Sequence, residues 1–142
     1  MGCHDESLLY TEWIYYTSWL SIMSLWYALR RGHGDLAVVP ACVLFTSVNF
    51  WRDPKPGVHR VMDYVCVNTG LAYQVVRSIR DGVLDVYIIP MGCAGACFFV
   101  SLFAFHAGRC GLFVAAHMLF HVLGNISNLV LYRAIDRVSR QK

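Results

Sequence analysis

VYIIPMGCAGACFFVSLFAF (residues 86–105) and GLFVAAHMLFHVLGNISNLVLY (residues 111–132) decide the fold class. Neither run contains Asp, Glu or Lys, and neither contains Arg. Each is about 20 residues long, and a helix rising 1.5 Å per residue over that length crosses ~30 Å of hydrocarbon. The two read as successive membrane spans. Working outward toward the N-terminus, three more apolar runs appear, each closed by polar punctuation.

The run at 61–76 carries Asp63, Asn68 and Gln74 and ends at Arg77, Arg80, Asp81 and Gly82. The run at 36–51 is closed by Arg52-Asp53-Pro54-Lys55-Pro56-Gly57, whose prolines and glycine forbid helix continuation. The first run, 13–29, ends at Arg30, Arg31, Gly32, His33 and Gly34. The middle two are about 16 residues, or roughly 24 Å, so they cross only where flanking Arg and Trp side chains reach the interface. A re-entrant pair is the alternative. The loops leave no room for an extramembrane domain. We therefore expect an all-α fold, an integral membrane helix bundle of about five transmembrane helices, forming one transmembrane domain over residues 1–142 with spans at about 13–29, 36–51, 61–76, 86–105 and 111–132.

Composition agrees. The 142 residues are 57% hydrophobic and 15% charged, against roughly a quarter charged in a soluble domain. Aromatic content of 14% excludes a low-complexity tail, and no solenoid period or inverted duplication is visible. The net charge of +3 is spread over short clusters, which disfavours nucleic acid as a partner. With five crossings, Arg30, Arg31, Arg77, Arg80, Arg133, Arg137, Arg140 and Lys142 share one side, and Arg52, Lys55, Arg60 and Arg109 the other. The positive-inside rule then places the C-terminus in the cytoplasm and the N-terminus outside or in a lumen. Asp5, Glu6 and Glu12 precede the first run, so it lacks the basic leader of a cleaved signal and should stay as a helix. Met1-Gly2-Cys3 has Glu6 where myristoylation wants Ser or Thr.

Cysteines stand at 3, 42, 66, 93, 97 and 110. Four lie inside apolar runs, so no disulfide framework is expected. Cys93 and Cys97 have the spacing of a metal pair, but with Gly92, Gly95 and Ala96 they read as small residues that let a neighbouring helix approach.

Ionisable residues inside spans are costly and therefore point to function. The span order brings Ser47, Asn49, His59, Asp63, His106, His117 and His121 to the same leaflet half. His117 and His121, four apart, project from one helix face, a spacing at which two imidazoles can share a metal. Asn125 and Asn128 extend that stripe, and His59 and Asp63, again four apart, form a second one with Gln74. Each residue also has a plainer role. The amides are interhelical glue contributing about 1 kcal/mol, His59 and His106 are interfacial loop residues, and Asp63 pairs with Arg60 or caps its helix.

Ser47-Val48-Asn49-Phe50-Trp51, Asp63 opening the next helix, and His117-Met118-Leu119-Phe120-His121 together resemble the superfamily of alkaline ceramidases and adiponectin/progestin receptors. That resemblance implies a zinc ion held by three histidines and an intramembrane hydrolase acting on an amide in a lipid. His117 and His121 would be ligands, Asp63 the general base or water-orienting group, and Ser47 an oxyanion or substrate contact. Trp51 stands where the superfamily carries an early histidine, which leaves His106 or His59 as the third ligand. The superfamily has seven spans, where five are counted here. Separately, Asn49-Phe50-Trp51-Arg52 with Pro54, Gly57, Arg60 and Asp63 resembles a loop of small uncharacterised multi-pass proteins of algae and large DNA viruses.

Two other classes stay open. One is a non-catalytic structural or assembly subunit whose outer faces pack against other membrane subunits. The other is a haem-binding bundle, with a histidine of the last helix facing one from the third or fourth span. An enzyme turns both polar stripes inward around a cavity.

Overall fold

The computed structural model describes residues 7–141, with side chains from residue 11 onward. The segment Met1-Gly2-Cys3 weighed for lipidation lies outside these residues, as does Lys142. Among the described residues there are six helices and no strand: α1 (Ser7–Ser18), α2 (Ser21–Arg30), α3 (Gly34–Arg52), α4 (Val58–Arg80), α5 (Leu84–His106) and α6 (Cys110–Ser139). The fold is an all-α bundle, and α3, α5 and α6 are long and apolar enough to cross a membrane.

The run at 13–29, expected as one helix, is two, broken at Trp19 and Leu20. The Thr17 and Ser18 hydroxyls both donate back to the Ile14 carbonyl, at 2.9 and 3.0 Å. Such back-bonding competes with the helical ladder and bends it. The ladder tightens to i→i+3 bonds, Trp19 N to Tyr16 O and Leu20 N to Thr17 O, before α2 begins. The buried face nonetheless runs on unbroken through Thr11, Ile14, Ser18, Ser21, Ser24 and Ala28. The two helices therefore act as one bent rod.

The short middle runs lie within longer helices: the third helix has 19 residues and the fourth 23, about 28 and 35 Å at 1.5 Å per residue. Polar ends extend them beyond their apolar runs. Arg77 near the end of α4 is held by Asp81 at 2.6 Å and by Asp35 on α3, which also accepts from Tyr73 at 2.7 Å.

Three of the helix joints share one cap. Gly32, Gly82 and Gly108 have φ of 74°, 71° and 69°, the left-handed conformation that glycine adopts without a Cβ clash. The residue after each donates to a carbonyl five positions back: His33 to Ala28, Val83 to Ser78 and Arg109 to Ala104, at 2.9, 2.9 and 2.8 Å. This is the Schellman closure, and Ala28, Ser78 and Ala104 are each fully buried beneath it. The first two corners also repeat in sequence: Arg30, Gly32, Asp35 and Pro40 match Arg80, Gly82, Asp85 and Pro90 in order and spacing.

The burial pattern is inverted relative to a soluble protein. Ile89, Phe99 and Phe103 are 70% exposed, whereas Ser24, Ser78, Ser101 and Ser127 are fully buried. Apolar residues outside and hydroxyls inside is the arrangement that hydrocarbon solvent favours, since it hydrates nothing.

The fifth and sixth helices form the main packed pair. The bent α1–α2 rod lies against α6 and α3, and α3 carries α4 on its other side. The fourth helix barely touches α5. One apolar cluster, with Leu36, Tyr87, Leu131, Tyr132 and Ile135, closes the end at the Gly32 and Gly82 corners. A second, with Ile14, Trp51, Ala104, Phe113 and Val114, closes the opposite end.

The four cysteines inside apolar runs, Cys42, Cys66, Cys93 and Cys97, are free. Cys110, at a helix corner outside those runs, is disulfide-bonded, a bridge that the expectation of no disulfide framework did not foresee.

Candidate functional site

Between the two apolar plugs lies a cavity of about 360 Å³, lined by residues of all six helices. The stripe of His117, His121, Asn125 and Asn128 on α6 faces it, as do Asp63 and Gln74 of the second stripe together with Asn68 from α4, whereas His59 does not. Ser47 joins them from α3. The cavity reaches the outer surface between α4 and α5, where Phe99 both lines it and is 70% exposed, beside Tyr64 and Leu71.

The stripes do not satisfy one another across the bundle, as a packed core would require. Each is tied instead to hydroxyls on its other flank. Asp63 Oδ1 accepts from the Ser47 hydroxyl at 2.6 Å and from Thr46 at 3.0 Å. Arg60 does not pair with it and lies over the Tyr64 ring, 5.6 Å from its centroid. On α6, Asn125 Oδ1 accepts from Ser24 at 2.7 Å. Gln74 Oε1 accepts from Tyr87 at 2.9 Å. Their partners keep the polar groups saturated on one side and leave the cavity side free.

The histidines carry the most chemical information. His117 Nδ1 lies 3.2 Å from Ser101 Oγ, and that hydroxyl already donates to the Phe98 carbonyl at 2.7 Å. A hydroxyl has one proton, so Ser101 can only accept from His117. The Nδ1 of His117 therefore carries the hydrogen. The same logic holds for His121, whose Nδ1 is 3.4 Å from Ser18 Oγ, a group donating to Ile14 O at 3.0 Å. In the neutral imidazole both Nε2 atoms then hold lone pairs. The two rings sit 5.1 Å apart, centroid to centroid. Trp51 packs against His117 at 4.8 Å, and among the described residues its indole Nε1 has no hydrogen-bond partner.

His59 and His106 do not join this group. Both are exposed at the bundle end, outside the cavity lining. The fourth helix begins at Val58, which puts His59 in its open first turn, and His106 is the last residue of α5. Among the described residues, no group of three or more His, Cys, Asp or Glu could hold a metal ion. Among the described residues the third ligand implied by the superfamily resemblance is thus not gathered, and neither His59 of α4 nor His106 of α5 joins the α6 pair, which a haem held between two helices would also need.

The small residues of α5 also behave differently from expectation. A Cβ added at Gly92 or Gly95 would meet open space. Gly95 lines the cavity, and Gly92 and Ala96 face outward. The close helix approach is at Gly70 instead, where a Cβ would fall 2.7 Å from Val39 Cγ1.

Ser18, Ser24 and Ser101, the groups that set the histidine tautomers and the Asn125 amide, were missed by sequence reading. For Ser18 and Ser24 the signal was present as the spacing of Thr11, Ser18, Ser21 and Ser24, a hydroxyl face within an otherwise apolar run, whereas Ser101 stands alone in the run at 86–105. No family model, no curated protein and no solved structure matches this chain.

Proposed function

We propose that this chain is an integral membrane protein of five crossings, α1 and α2 forming the first, that admits an amphiphile from the bilayer into its central cavity. The observation that supports the reading is the slot between α4 and α5 leading to a cavity with apolar walls and a polar α6 face. A volume of about 360 Å³ lies within the range of small-molecule sites. Asp63, the His117 and His121 Nε2 atoms and the Trp51 indole would orient the polar group, while Phe98, Phe99 and Phe120 hold the chain. The N-terminal side faces outward or into a lumen: the basic residues count that way, and a disulfide at Cys110 persists in oxidising compartments.

The test is native mass spectrometry of the purified protein beside Gly95→Trp, whose indole fills open cavity space. Parent protein should retain one amphiphile that the variant loses. Equal retention by both would sink the reading.

A second reading, hydrolysis of a lipid amide or ester, rests on the two Nε2 lone pairs sharing a cavity with Asp63. An Nε2 lone pair can take a proton from water, as a general base does. The Ser47 hydroxyl is committed to Asp63 and positions that carboxylate. Release of fatty acid from detergent-solubilised lipid, abolished by His121→Ala and retained by His106→Ala, tests this reading. Loss in both variants, or in neither, would refute it.

A further inference from the structure

The corner between α2 and α3 holds a charged assembly that the cavity does not use. Asp136 on α6 binds His33 Nε2 at 2.7 Å, Arg31 Nε at 3.4 Å and the Tyr27 hydroxyl at 3.4 Å. That carboxylate is thereby fully engaged. The neighbouring guanidiniums are held by rings instead of by acids. Arg133 lies 5.8 Å from the Tyr27 centroid and Arg30 lies 5.0 Å from the Trp26 centroid.

Long cationic side chains on a surface ordinarily scatter into water, because ordering them costs rotamer entropy. Here one from α2 and one from α6 are placed on neighbouring aromatic rings of α2, and cation–π attraction offsets part of that cost. Among the described residues, Arg30 and Arg133 have no carboxylate partner. Below Arg30, the outer face of α2 is apolar, with Met23, Trp26 and Leu29 each more than half exposed. A fixed pair of cations above an apolar outward face matches a ligand with an anionic head and hydrocarbon tails.

We infer that Arg30 and Arg133 bind the phosphate of an anionic phospholipid at the α2–α6 edge, with its acyl chains along the outer face of α2. This site is separate from the cavity. A guanidinium fork suits phosphate oxygens better than an ammonium does, and each basic residue near an anionic head adds to the attraction.

Positive residues at a span end also act as topology signals, and the experiment separates the two roles. The full chain is reconstituted with equal phosphatidylglycerol and phosphatidylcholine, extracted in mild detergent, and its retained lipids are counted by native mass spectrometry. We expect roughly tenfold enrichment of the anionic lipid. The Arg30→Gln/Arg133→Gln variant should bring retention near parity. Arg30→Lys/Arg133→Lys, which keeps charge and topology but loses the forks, should fall between. Inorganic phosphate should fail to displace the lipid, since it lacks the chains. Equal retention of both lipids by the parent, enrichment unchanged in the Gln variant, or displacement by inorganic phosphate would each overturn the site.

Discussion

Asp63 on α4 accepts a 2.6 Å hydrogen bond from Ser47 on α3, and this bond pins the end of α4 that lies farthest from the Gly82 corner. It is one of three attachments along the same pair. Gly70 lets Val39 approach the middle, and Asp35 holds Arg77 and Tyr73 at the other end. With α4 fixed to α3 at three levels, the slot on its α5 side is a standing feature of the fold.

Breaking the pin should be measurable. A hydrogen bond to a charged group contributes about 1.5–3 kcal/mol, and a buried group left unpaired costs about 1–3 kcal/mol. Ser47→Ala leaves Thr46 as a donor, so its cost should be near the lower end. Asp63→Ala removes the acceptor of both bonds and strands the Ser47 hydroxyl, while Thr46 falls back on the Cys42 carbonyl 3.1 Å away, so it should cost more. Thermal unfolding in detergent should rank the parent above Ser47→Ala and that above Asp63→Ala, and the reverse order would contradict the attachment.

The close approach at Gly70 makes a sharper test. A methyl group there would meet Val39 Cγ1 at 2.7 Å, so Gly70→Ala must push α4 off α3 or displace the valine. Overpacking of this kind costs about 1–3 kcal/mol. Val39→Ala removes the obstructing methyl, so the double variant should recover most of the loss. Additive losses would mean that the helices do not touch at this point.

Part of this arrangement was readable without coordinates. The uncharged runs of α5 and α6 announced themselves, and the four-residue spacing of His117 and His121 put both on one face because a helix repeats every 3.6 residues. Asp63 lines the same cavity, at the level that the expected alternation of span direction gives it. The break at Trp19 was hidden, since it depends on Thr17 and Ser18 competing for one carbonyl, a contest hydropathy does not register. The length of α4 was underestimated because Arg77 is neutralised by acids on two elements, one of them 42 residues away in sequence. His59 and His106 were grouped with the buried histidines by depth alone. Depth does not say whether a terminal helical residue turns inward, and both turn out.

The histidine tautomers give a spectroscopic prediction. In nitrogen-15 spectra of the protein in bilayers, His117 and His121 should both show a protonated Nδ1 and an unprotonated Nε2. Ser101→Ala removes the acceptor for His117 alone, so only its signal should change. A protonated Nε2 in the parent would contradict the assignment made from the Ser101 and Ser18 hydroxyls.

Metal affinity follows from the same geometry. The cavity supplies two imidazole nitrogens from one helix, whereas protein zinc sites draw on three or four protein ligands. Any zinc taken up at His117 and His121 should be lost to a chelator during purification, and His59→Ala or His106→Ala should leave uptake unchanged, because those rings stand outside the cavity. Zinc content by elemental analysis, measured before and after chelation for the parent and the single alanine variants, decides the matter. One equivalent that survives chelation in the parent and disappears in His59→Ala or His106→Ala would mean that a bundle-end histidine turns inward when metal binds. The superfamily arrangement would then be restored, with a third nitrogen beside Asp63.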